Sequence, residues 1–399
     1  MVAYPVRTSL KEQANLLVQR VGVEKEAVSI LTPKLFHKNI VLKSVKTSWA
    51  NIIKQEMLSC GGDAAVSNKT YNCSIPFTDV VLMGNTSCYQ RFLSRMKLQP
   101  ECFAPLIKEI EYIVYDHVPV LKIAGVTYDL SKDFLILGIL NVTPDSFSDG
   151  GKYLNYDDAF KKAEELLEQG ANFIDVGGES TRPGSNRVSL QEEQDRVLPL
   201  IESITSKFGP VVSVDSYKPA LLCEALKAGA KIVNDVSSGA AVSAVAKDIV
   251  RSDAASIIMM NRSENDMAGS ASSKDSSDPV AEFIDFCHQT SGNLVKLGLN
   301  KNSIMMDPGI GFGLSDSDVN TVLNNASSLS GSGFPVCWGI SRKSFMGRMI
   351  GVELGERDQL SNAISLYLLS QGVKIFRSHD VAGLSSVIRF YKKMEGVLS

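Results

Sequence analysis

The chain places Asn141, Asp175, Asp215, Asn234, Asp307, Ser341 with Lys343, and Arg377 with His379 at the ends of short apolar runs. Two kinds of chemistry can be read from them. Asp215, Asn234 and Asp307 are two carboxylates and an amide, and a carboxylate accepts two parallel hydrogen bonds from an amidine-like edge. They suit a flat heterocycle with several N–H donors. Arg377, His379 and Asn141 combine two potential cations with an amide oxygen. They suit a pyrophosphate and a Mg²⁺ ion, which prefers oxygen ligands and keeps its waters. Gly339-Ile-Ser-Arg-Lys-Ser344 ends a further apolar run and opens a helix, where backbone N–H groups and Ser344 could hold a carboxylate. Each residue alone has an ordinary structural reading: an aspartate caps a helix, and a lysine such as Lys343 lies on a solvated surface. Polar residues at seven such ends out of eight exceed what capping requires.

The elements that must position these residues repeat along the chain. Eight apolar strands are read at Phe134–Leu140, Asn172–Val176, Val211–Asp215, Lys231–Val236, Ala255–Met260, Ser303–Asp307, Pro335–Gly339 and Val373–Arg377. Between them lie amphipathic stretches such as Asp157–Gln169, Leu190–Lys207, Pro219–Ala228, Pro279–Leu297, Asp358–Ser370 and Gly383–Met394. Gly170, Gly229, Gly298 and Gly372 stand just past four of these helices, where C-cap glycines belong. Strand–helix alternation implies parallel strands joined by right-handed crossovers. Eight units in the 266 residues from 134 to 399 predict a (β/α)8 TIM barrel, a fold of about 250 residues whose strands share one mouth at their carboxyl ends. The competing arrangement is a doubly wound open sheet. Gly309-x-Gly311-x-Gly313 lacks that fold's third-glycine spacing, and no acidic strand end follows it.

The first strand runs into a small, polar, Gly-terminated loop to Gly151 that carries Asp145, Phe147 and Asp149; its plainer reading is a βα turn capped by an aspartate. Asn261–Asp278 is rich in Ser, Asp and Gly and reads as a flap or a disordered segment with no catalytic role. Ahead of the barrel at 131–399, residues 1–130 read as a small α/β domain. Its helices are expected at Ser9–Val21, Thr47–Cys60 and Ser87–Lys97, and its strands at Asn39–Val45 and Thr78–Met83. Glu56 and Asp63, beside Gly61-Gly62, fit a solvated helix face and a cap better than a site.

Composition excludes several partners. A formal net charge of −3 provides no basic field for nucleic acid. No apolar run approaches the roughly 20 residues of a membrane span, and the first residues lack a secretory arrangement. Seven cysteines with no Cys-x-x-Cys pair point to reduced thiols, no zinc and a cytosolic address.

Seven ordered blocks, GILNVTPDSFSDGG (138–151), DVGGESTRPG (175–184), SVDS (213–216), IVNDVS (232–237), MDPGIGFG (306–313), GISRKSF (339–345) and RSHDV (377–381), resemble the dihydropteroate synthase family over about 134 to 399. The resemblance implies a (β/α)8 barrel that joins 6-hydroxymethyl-7,8-dihydropterin diphosphate to 4-aminobenzoate and releases diphosphate, as a homodimer. It implies that Asp215, Asn234, Asp307 and Lys343 hold the pterin. Asn141, Arg377 and His379 would meet the diphosphate and Mg²⁺, with Thr181 close by. Asp149 would face the developing pterin cation and Arg182 the departing diphosphate. Phe147, Pro183, Phe312 and Ser344 would form the aminobenzoate pocket. Two positions depart from the family pattern: Met259-Met260-Asn261 where a His is frequent, and Leu314 where a Lys usually follows the glycines. A pterin-binding methyltransferase of the same barrel would not require the Ser-Thr-Arg-Pro-Gly and Ser-Arg-Lys-Ser segments. A synthase with another arylamine acceptor would keep both, and a non-catalytic pterin binder would not need Asp149, Arg182 and Lys343 together.

Overall fold

A computed structural model describes residues 3, 4, 6, 11–142, 154–179, 187–263 and 278–395. The chain divides into two compact units, Met1–His117 and Val118–Ser399.

The first unit is a three-stranded antiparallel sheet of β1 (His37–Lys46), β2 (Asp63–Val66) and β3 (Phe77–Asn85), with β3 in the middle. The strands alternate buried and exposed side chains, so one face is apolar. The helices Thr47–Ser59 and Thr86–Met96 cover that face, and Ile40, Leu42, Ile53, Met57, Leu82 and Phe92 form its core. Glu56 pairs with Arg95 and accepts from Gln99 Nε2 at 3.1 Å, while Asp63 accepts from the next backbone N–H at 2.7 Å. Both carboxylates are used structurally. The helix Ala104–Val114 and the strand β2 are additions to what the sequence pattern predicts.

The second unit opens with a hairpin, β4 (Val120–Ile123) and β5 (Val126–Asp129), followed by eight parallel strands. These are β6 (Leu135–Asn141), β7 (Phe173–Gly177), β8 (Val212–Asp215), β9 (Ile232–Asp235), β10 (Ala255–Met259), β11 (Ile304–Asp307), β12 (Cys337–Trp338) and β13 (Ile375–Ser378). Each pairs with the next in sequence except β11 with β12, β13 pairs with β6, and an isolated bridge from Met306 of β11 to Val336, just ahead of β12, closes the ring as a (β/α)8 barrel. Helices follow the strands as expected, and Gly170, Gly229, Gly298 and Gly372 all take left-handed φ.

Two cores result from the two-residue period of the strands. Outward residues such as Ile136, Ile174, Val214 and Ile258 pack against the helices. Inward residues Leu135, Leu137, Phe173, Ile232, Ile257, Met305, Cys337 and Ile375 fill the barrel floor with Leu121, Ile123 and Leu130 of the hairpin segment. The floor is therefore built partly from residues ahead of 131. Continuing up the same inward rows, the next positions are Asn141, Asp175, Asp215, Asn234, Asp307 and Arg377. One alternation thus turns an apolar floor into a polar mouth.

Leu121 is fully buried beneath this floor. Leu121→Ala is expected to destabilise the barrel by about 2–5 kcal/mol, read from urea unfolding at Trp338 in a Trp49→Phe background. A change within about 0.5 kcal/mol, as for a surface position, would show that the hairpin is not part of the barrel core.

Candidate functional site

Asn141, Asp215, Asn234, Asp307, Phe312, Lys343, Ser344, Arg377 and His379 line one cavity of about 390 Å³ at the carboxyl ends of the strands. A larger groove of about 610 Å³ lies in the first unit, between Lys97, Pro100, Ala104 and Glu111. It brings together no buried ionisable set, so the chemistry favours the mouth. These strand-end residues are thus gathered from positions far apart in sequence, while Phe147, Asp149, Thr181, Arg182 and Pro183 lie outside the described residues.

Register explains the neighbours. Asp215 of β8 stands beside Asn234 of β9, Asp307 of β11 beside Met259 of β10, and Asn141 of β6 beside Gly177 of β7. An added Cβ at Gly177 would lie 3.7 Å from Asn141 Oδ1 and 3.6 Å from the Asp215 Cβ, so these two residues flank the same glycine.

At the centre is Asp175, 1% exposed. Its Oδ1 accepts from Ser213 Oγ at 2.5 Å; its Oδ2 accepts from Asn234 Nδ2 at 3.1 Å and Arg377 Nε at 2.6 Å. Arg377 Nη2 also donates to Asp215 Oδ2 at 2.6 Å, and Asp215 Oδ1 is buried without a partner. The heterocycle set and the anion set read from the sequence are therefore joined, because Arg377 reaches into the carboxylates. Asp175 was visible as a polar residue but had no role assigned. The signal was there, a lone carboxylate inside the otherwise apolar Phe173–Gly177.

Burial decides the electrostatics. Desolvation pushes the Asp215 carboxyl up to about 7, Arg377 and Lys343 oppose the rise, and Asp175 and Glu193 add to it. Desolvation also raises Asp307, against the N–H of Gly309, 2.8 Å from its Oδ1, and the charges of Lys343 and Arg377. Burial disfavours the charge on Arg377, yet Asp175 and Asp215 outweigh it and hold the guanidinium above its ordinary value.

The loops after the strands aim the remaining groups. Gly309 has φ +70°, and a Cβ there would stand 2.0 Å from the Met260 carbonyl oxygen, so only glycine fits the crossing of these loops. Gly311 has φ +89° and lies against the Lys343 stem, whose ammonium sits 4.4 Å from the Phe312 ring centroid. Arg342, with φ +58°, is clamped by two 2.7 Å hydrogen bonds to Asp358, which directs the next residue, Lys343, into the mouth. His379 Nδ1 lies 3.0 Å from Ser341 Oγ, and Ser344 accepts from Arg348 Nη1 at 2.8 Å. Glu179 also lines the cavity, held by Lys218 Nζ at 2.6 Å and Tyr217 Oη at 3.0 Å. Sequence reading missed it and the Arg342 clamp. Of the two departures, Leu314 is buried in the outer core and Met259 forms cavity wall.

A Pterin binding enzyme family model matches residues 137–379. The chain is 38% identical over 265 residues to the dihydropteroate synthase of Bacillus subtilis (strain 168), covering 66% of this chain and 89% of that protein. Among solved structures it is similar to Xanthomonas albilineans dihydropteroate synthase with 4-aminobenzoic acid, at a TM-score of 0.63 and 34% identity over 71% of this chain and all of that one. It is also similar to the Yersinia pestis enzyme with a sulfonamide drug complex, at a TM-score of 0.61 and 35% identity over 69% and 99% of the two chains.

A carboxyl band lost in Asp215→Asn is expected to titrate near pH 7 in infrared difference spectra. Arg377→Met should move that titration upward, because the guanidinium stabilises the ionised form. A midpoint below about 5, inside the ordinary carboxylate range, would contradict the burial account.

Proposed function

Because the chain belongs to the pterin binding enzyme family, within its dihydropteroate synthases, we propose that it joins 6-hydroxymethyl-7,8-dihydropterin diphosphate to 4-aminobenzoate and releases diphosphate. The observation that carries this reading is the convergence of Asp215, Asn234, Asp307, Lys343 and Arg377 on one cavity, with one Asp215 oxygen left buried without a partner.

In the reaction the methylene C–O bond breaks and its electron pair leaves with the diphosphate. The arylamine nitrogen then forms the C–N bond and loses a proton. We assign the amidine-like edge of the pterin to Asp215, with Asn234, Asp307 and Lys343 completing its hydrogen bonds. Carboxylates fixed in a buried site also favour the positive charge that develops on the pterin, since a preorganised site pays no reorganisation at that moment. Arg377 and His379 are assigned to the diphosphate, with Thr181 and Arg182 from the segment that follows Glu179, and Asp149 to the pterin cation. Phe147, Pro183, Phe312 and Ser344 are assigned to the aminobenzoate.

Mg²⁺ fits this donor set through one protein oxygen. Asn141 offers an amide oxygen at the mouth, and among the described residues no three His, Cys, Asp or Glu side chains form a metal cage. Asn141 would hold the ion together with diphosphate oxygens and water, and the ion when bound would neutralise leaving-group charge. We further propose a cytosolic enzyme, in keeping with seven free cysteines, and a homodimer. Tyr367, Phe390 and Met394 on the last two helices offer exposed apolar surface for that association, which sedimentation velocity would register as twice the chain mass.

Diphosphate release from the pterin diphosphate should require 4-aminobenzoate, and a sulfonamide should compete with that acceptor. Lys343→Ala should lose about 10–100-fold in kcat/KM for the pterin substrate, the loss expected for a charge-assisted hydrogen bond. Turnover of the variant near the parent value, or release of diphosphate indifferent to the acceptor, would remove the assignment.

A further inference from the structure

Asp175 is expensive to keep. An ionised carboxylate at 1% exposure costs several kcal/mol unless it is paired and hydrogen-bonded. Its partners come from three other strands: Ser213 from β8, Asn234 from β9 and Arg377 from β13. Two of the three are groups assigned to substrate, yet Asp175 is absent from the cavity lining. A carboxylate serving only as a counter-ion for Arg377 would not need to hold the Asn234 amide as well.

The consequences are specific. An ionised carboxylate only accepts hydrogen bonds, so it selects the nitrogen of the Asn234 amide and leaves the amide oxygen as that side chain's acceptor. The guanidinium is divided between Asp175 and Asp215. It takes one Asp215 oxygen and leaves the other, Oδ1, without a partner. Without the Asp175 charge, Asp215 would be the stronger of the remaining anions for Arg377 and would be drawn into a closer pair.

We propose that Asp175 is a positioning residue: it fixes the Asn234 amide and holds Arg377 back from Asp215, so that the Asp215 carboxylate stays open to the pterin. The proposal rests on the assignment of the mouth as a pterin site.

Asp175→Asn in the full chain keeps the side-chain volume and removes the charge. Affinity for 6-hydroxymethyl-7,8-dihydropterin, measured by calorimetry, should fall at least about tenfold. The KM for 4-aminobenzoate should stay within about twofold, because Asp175 reaches none of the groups assigned to the aminobenzoate. The acid limb of pterin binding should also move to lower pH. Asp215 faces Arg377, Lys343, Asp175 and Glu193; removing Asp175 deletes a like charge and leaves the guanidinium to Asp215, and both changes favour its ionised form. Unchanged pterin affinity, an equal rise in the 4-aminobenzoate KM, or a limb that stays or moves upward would overturn the proposal. If Asp175→Asn does not fold, Ser213→Ala removes only the donor to Asp175 Oδ1 and should weaken pterin binding severalfold with the acceptor KM unchanged; no effect would count against it. Failure of the parent protein to bind the pterin would instead remove the reading of the site itself.

Discussion

One guanidinium allows the barrel to bury its carboxylates. Asp175, Asp215 and Asp307 point inward on strands that otherwise carry apolar or small side chains, and burial disfavours the ionised form of Asp215 and Asp307. Arg377, delivered by β13, two strands from β7 and three from β8 around the ring, spans two of them. Its planar fork does this by placing Nε on one carboxylate and Nη2 on the other. Lys343 supplies the other cation from a loop. The cluster sets two cations against three carboxylates, two of which burial pushes toward the neutral form.

The same groups meet only because eight strands close into a ring. Closure makes inward positions of distant strands neighbours, and the strand period assigns alternate residues to the helices and to the interior. Apolar inward residues at the amino ends make a packed floor, which the Val120–Asp129 hairpin completes from below. The polar layer rests on that floor. Its aim is refined by the loops, where Gly309, Gly311 and the left-handed Arg342 let three chain segments cross within van der Waals distance around Lys343.

Much of this was legible in the sequence because it depends on periodicity and polarity. The alternation of strands and helices, the glycines past the helices and the polar residues ending seven of the eight apolar runs all have local signatures. What was not legible depends on direction. Arg377 and His379 stand two residues apart, yet the guanidinium turns down to Asp175 while the imidazole turns to Ser341, a difference of direction that their spacing does not carry. Nothing local tells a lone aspartate in a buried strand that it will serve three partners. Leu314 looked like a lost contact at the mouth and is instead core, because the loop turns it inward. The hairpin was missed for another reason: its strands are four residues each, too short for alternation to stand out.

The sparse use of histidine has a chemical reading as well. Of four histidines in the chain, only His379 lines the mouth, and its Nδ1 faces the Ser341 hydroxyl. A reaction that needed its nucleophile deprotonated would call for a base with a pKa near the working pH, within reach of the acceptor. An arylamine is already neutral at that pH, and the ammonium formed after attack is acidic enough to release its proton to water. The difficulty lies in the other half of the reaction, in detaching diphosphate and tolerating the cation left behind. Buried carboxylates held by Arg377 and Lys343 address that half, so the mouth is built around fixed charge rather than around proton transfer.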